Sequence, residues 1–131
     1  MKFLIQYLIV LVVFFAVDLV WLGVIAKDLY AKYLGYLMAK SINWPAAFIF
    51  YLIFILGLVV FVIQPALADG SLLKGLGMAA LFGLVTYATY DLTNLATVRD
   101  WPITITLIDL AWGTTLSTLV TLISLLILKR L

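Results

Sequence analysis

Three carboxyls stand where a hydrocarbon layer should tolerate none. Asp18, Asp91 and Asp109 each interrupt a long run of Leu, Ile, Val, Phe and Ala, whereas Asp28, Asp69 and Asp100 fall in polar connections and are accounted for by solvation. Around Asp91 the stretch "TYATYDLTNLATVRDWP" adds Tyr87, Tyr90 and Asn94 within about two helical turns. Such groups bind and release protons, accept hydrogen bonds or hold a cation, and intramembrane ionisable residues are by default candidates for function. His and Cys are absent and all 6 acids are Asp. That removes thiol chemistry, His-based triads, haem ligation through His and the usual zinc sites. Any chemistry rests on Asp, Tyr, Trp, Asn, Ser, Thr and Lys, and the residues assign neither a metal-ligand set nor a cofactor.

The elements that position these groups follow from composition. With 131 residues, 67% hydrophobic and 11% charged, the chain is an integral membrane protein of one domain, residues 1–131. The net charge is +2, and the only adjacent basic pair is Lys129 with Arg130, which leaves no nucleic-acid footprint. Four stretches, about 3–26, 45–64, 72–97 and 103–128, are long enough to cross a core of about 30 Å as helices. The first is read as a retained membrane helix, since its apolar run is too long for the core of a signal peptide. A "PALADG" turn and an "RDWP" turn join consecutive helices closely, so the expected fold is an all-α membrane protein, an up-down four-helix bundle. The longer connection contains "KDLYAKYLGYLMAK", in which Leu29, Tyr30, Tyr33, Leu34 and Leu37 share one helical face. It reads either as a short interfacial helix or as an ordinary connection with Tyr at headgroup level. "VDLVWLG" and "YDLTNLA" are each followed by a Trp-Pro that opens the next helix, which suggests two pseudo-repeated hairpins. Basic residues divide four against four between the two sides, so the positive-inside rule is silent; the free amino terminus and fewer Asp favour cytoplasmic termini.

Depth and face then bring the polar residues together. Counted from Lys27, Arg99 and Pro102, the three Asp lie about 10 to 14 Å below one boundary, and Tyr51 falls in nearly the same layer. Ala80, Gly83, Tyr87, Tyr90, Asp91 and Asn94 share one face of the third helix, with Gly83 and Ala80 marking a close helix contact. In the first and fourth helices Asp18 is followed three residues on by Trp21, and Asp109 by Trp112. The candidate ligand- or proton-binding residues are therefore Asp18, Asp91, Asp109, Asn94, Tyr51, Tyr87, Tyr90, Trp21 and Trp112. No intramembrane Lys or Arg offers a counter-ion, so the carboxyls call for protons, a bound metal or sodium ion, or a cationic ligand. Trp44 and Trp101 are read as anchors in the aromatic belt, and Thr86, Thr89, Thr93 and Thr97 as bonding back to helix carbonyls.

The string "TYDLTNLAT", together with "DLVWLG" and "IDLAWG", resembles the small bacterial membrane family catalogued as domain of unknown function 2177, over the whole chain. The resemblance implies a four-helix protein of the bacterial inner membrane, with Asp18, Trp21, Asp91, Asn94, Asp109 and Trp112 at positions of the family pattern. It implies no activity. From the residues, the first expectation is a site binding or transporting a small or lipid-like ligand with coupled protonation. A membrane-embedded acid-base enzyme acting on a lipid or isoprenoid is the second. The third is an accessory subunit, meeting a partner subunit or a second copy, whose polar layer is a structural latch.

Overall fold

Apolar runs of this length satisfy their backbone without water in one way, as α-helices, and the computed structural model, which describes residues 2–131, contains no strand among them. Four helices are long and apolar enough to span a bilayer: α1 (Lys2–Ile25), α3 (Trp44–Asp69), α4 (Leu72–Thr97) and α5 (Ile103–Leu128). The first connection holds a short helix, α2 (Leu29–Leu34). The expected all-helical membrane fold is the one the chain adopts.

One expected boundary is corrected. The second span was expected to end near residue 64, yet helix continues through Pro65 to Asp69. Proline lacks an N–H, and its ring crowds the carbonyl four residues earlier. A π turn over Val59–Ile63, closed by the Gln64 N–H on the Val59 carbonyl, widens the helix just before that ring. Gly70 then stops α3 at φ 73°, in the left-handed region. The Ser71 hydroxyl accepts from the Lys74 N–H at 3.2 Å and starts α4. A second π turn, Trp21–Ile25, ends α1.

The most extensive helix contact joins α4 to α5. Gly75, Ala79 and Gly83, spaced one turn apart, are all buried in it. A methyl group on Gly83 would lie 2.1 Å from the Gly113 carbonyl oxygen and 2.7 Å from Ser117 Oγ, and one on Gly113 would lie 2.2 Å from the Tyr87 ring. Backbones approach this closely only where side chains are missing. The expectation for Gly83 holds, whereas Ala80 is only half-buried and Ala79 takes its place in the seam.

Elsewhere the packing is looser. Val10, Val13 and Phe14 of α1 join Phe54, Ile55 and Leu58 of α3 and Leu116 and Val120 of α5 in the main core. Above Phe54, however, the first part of α3 stands away from α4: between Trp44 and Ile53 only Ala47 and Tyr51 are even partly buried. Contact between these helices comes from Phe54, whose ring meets Phe82 at 5.3 Å and Tyr87 at 6.4 Å, from the π turn, and from the Gln64–Asp69 end, where Ala66 faces Gly75. A lateral gap between α3 and α4 is the result.

The short helix α2 caps the bundle. Leu34 packs on Trp101 and Ile105, and the Tyr36 hydroxyl donates to the Asp100 carbonyl at 2.6 Å, where Asp100 adopts φ 59° to turn the chain into α5. This cover corrects the expectation for Trp101. It is 7% exposed, and its indole N–H donates to Thr106 Oγ1 at 3.0 Å, so it is a packed residue and not a belt anchor. Trp44 is exposed, as an anchor would be. Thr86, Thr89, Thr93 and Thr97 all bond back to carbonyls of the preceding turn.

Candidate functional site

The α4–α5 seam delivers two carboxyls to one place. Asp91 follows Gly83 by two turns on the same face, and Asp109 precedes Gly113 by one, so the antiparallel register that sets Gly83 against Ser117 and Tyr87 against Gly113 makes Asp91 and Asp109 neighbours. Asp91 is 0% exposed; its carboxyl lies within hydrogen-bond reach of the Asp109 carboxyl, a contact that needs a shared proton, and no other described group bonds to it. Buried polar atoms are nearly always paired. For the Asp91 oxygens the one partner at hand is the Asp109 carboxyl.

Asp109 is held differently. The Tyr30 hydroxyl, brought down by α2, donates to Asp109 Oδ1 at 2.6 Å and accepts from the Trp21 indole N–H at 3.1 Å. Burial, followed by the adjoining Asp109 carboxylate, pushes the Tyr30 hydroxyl well above its ordinary range, so it remains a donor at any physiological pH. Trp21 in turn stacks flat on Trp112, with ring centroids 4.3 Å apart and planes 9° from parallel. The expected pairing of each Asp with a Trp thus appears as one stacked pair, tied through Tyr30 to the carboxyls.

The third carboxyl lies apart from that pair. Asp18, 6% exposed, sits beside Tyr51 and Trp112, between α1, α3 and α5. No group of three carboxyls among the described residues is placed to hold a metal ion. Tyr87 stands among all three. Its ring fills the space over Gly113, within electrostatic reach of Asp18, Asp91, Asp109 and Tyr51 together. Asn94 does not bond to an Asp: it is half-buried, and its side chain makes no hydrogen bond among the described residues. Tyr90 turns outward, its ring edge-on to Trp101 at 5.6 Å.

A cavity of about 370 Å³ opens at the pair. Tyr30, Phe50, Tyr87 and Tyr90 share its lining with Asp91 and Asp109. The carboxyls form its buried end, while Phe50 and Tyr90, 50% and 57% exposed, mark the open side in the gap between α3 and α4. The volume lies within the range of small-molecule sites, about 300–1,000 Å³, and the walls are mostly apolar. Tyr30 and Phe50 were not among the candidates from sequence. The signal for Tyr30 was its place on the apolar face of the first connection; its descent onto Asp109 depends on α2 folding back over the bundle.

No curated protein and no solved structure matches the chain. A family described as predicted membrane protein, DUF2177, matches residues 3–126 and so takes in every residue of the site. The chain belongs to that DUF2177 family of predicted membrane proteins.

Proposed function

We propose that the protein binds a small or lipid-like molecule that enters sideways from the bilayer through the gap between α3 and α4, with a proton exchanged at Asp91 and Asp109 as it arrives. Carriage or transport of the molecule would use the same exchange. The observation that carries this reading is the buried Asp91–Asp109 carboxyl pair, without a cationic partner among the described residues, at the inner end of an apolar cavity. Charge in a low-dielectric layer must be balanced locally. A ligand that brings charge or a strong donor to the pair therefore displaces a proton, which is the coupling.

A structural latch fits the geometry less well. Buried polar groups that fix helix register do so through hydrogen bonds between helices; Asp91 has only the Asp109 carboxyl to bond to, a contact that holds the seam only while a proton is shared. The Asp109–Tyr30 bond does tie α2 to α5, so the two carboxyls divide the roles: Asp109 anchors, Asp91 receives. The test is a native mass spectrum of the protein released gently from lipid. A retained small molecule on the unmodified chain, absent from a folded Asp91→Asn variant, supports the reading; identical spectra without any added mass would count against it.

A further inference from the structure

We infer that the molecule this cavity selects is an amphiphile with a primary ammonium head, the head set against Asp91 and Asp109 and the chain leaving between α3 and α4. The inference rests on the lateral binding proposed above and names the chemical class of ligand.

The argument begins with the acceptors. Among the described residues no N–H or tyrosine hydroxyl donates to either Asp91 oxygen, and the Tyr30 hydroxyl engages Asp109 Oδ1, so apart from a proton shared between the two carboxyls the remaining oxygens are free to accept. A primary ammonium has three N–H donors and no acceptor, which suits two carboxyls that become acceptors only once the proton they share is given up. The protein supplies no cation of its own here. The one ion pair among the described residues, Lys74 with Asp69 at 3.2 Å, lies at the other end of α4, and the remaining basic residues are exposed near the helix ends or in the connections.

The walls point the same way. Tyr30, Phe50, Tyr87 and Tyr90 surround the carboxyls with aromatic rings, whose negative faces attract a cation more strongly where water is excluded. An anionic head would meet two carboxyls with no compensating charge, an arrangement that like-charge repulsion disfavours. A neutral alcohol has one donor and would leave most of the acceptors bare. The open side suits a chain: Phe50 and Tyr90 are half-exposed, and apolar Ile49 and Ile53 of α3 are exposed beside them.

Three probes with the same chain and different heads decide the matter: dodecylammonium, dodecanol and dodecanoate, titrated calorimetrically into the full chain in non-ionic micelles. The Asp91→Asn and Asp109→Asn variants, their helicity checked by circular dichroism, are titrated in parallel so that partition into the micelle cancels. The expected result is dodecylammonium binding at least tenfold more tightly than either other probe, with the preference lost in both variants. Dodecanol or dodecanoate binding as tightly as the amine overturns the ammonium head while leaving lateral lipid binding in place. No saturable binding of any probe to the unmodified chain overturns both. The comparison among probes needs only unmodified protein, so a variant that fails to fold leaves the decision intact.

Discussion

Replacing Gly83 by Ala tests the seam on which the carboxyl pair depends. The added methyl would sit 2.1 Å from the Gly113 carbonyl oxygen, and restoring even a 3.0 Å contact requires the helices to part by about 1 Å. The obstacle is backbone, so no rotamer change relieves it. Overpacking of this kind costs about 1–3 kcal/mol, and a contact with no flexible partner belongs at the upper end. At roughly 4 °C per kcal/mol for a domain of this size, the melting temperature in detergent should fall by about 10 °C. Gly77 is the control, because a methyl there meets nothing within 4 Å. Gly77→Ala should leave melting unchanged or raise it slightly, through the better helix propensity of Ala. Gly83→Leu should abolish the folded protein. Equal melting of the two alanine variants would refute the close α4–α5 approach, and with it the placement of Asp91 against Asp109.

Three further outcomes follow from the same geometry. Asp91→Asn should fold, since the amide N–H can donate to the Asp109 carboxyl where the native pair shares a proton, yet lose the ligand retained by the unmodified chain, read by native mass spectrometry. Tyr30→Phe removes the donor to Asp109 and the acceptor for Trp21, and should cost about 1–3 kcal/mol; amide exchange across Leu29–Leu34 should rise as α2 loosens, and unchanged exchange would mean that α2 is held by Leu34 alone. Trp101→Phe loses the bond to Thr106 and should lower stability by about 1 kcal/mol, whereas Trp44→Phe, on an exposed residue, should not.

The spans, the polar layer and the close contact at Gly83 were legible because each leaves a local mark: a long apolar run, an Asp inside it, a small residue on the same face. Three features escaped. Pro65 reads locally as a stop, and only the compensating π turn lets α3 continue. Trp101 sits at a membrane boundary by count, but α2 covers it. Equal depth placed the three Asp in one layer, yet depth says nothing of position around the bundle. Tyr87, whose ring occupies the space that Gly113 leaves free, lies within reach of all three, while the carboxyl-to-carboxyl contact is made by Asp91 with Asp109. In each case the deciding contact comes from a residue distant in sequence, which no local pattern records.

The unequal packing of the helices also bears on how the chain enters the bilayer. Asp18 is synthesised with α1, but Trp112, one of its neighbours, follows only after nearly the whole chain, a delay of roughly 5 to 20 s at ordinary rates of synthesis. Tyr51 of α3 follows sooner, after roughly 2 to 7 s; until then α1 must hold a carboxyl in lipid alone, and its mean hydropathy of 2.9 supplies the apolar surplus to do so. Helix α4 has no such surplus, with a mean hydropathy of 1.4 and a buried Asp of its own. It is followed at once by α5, its closest partner. The most polar span thus enters together with the helix that covers it, and α1 and α3 wait in the membrane as a loosely packed half to which the α4–α5 hairpin docks.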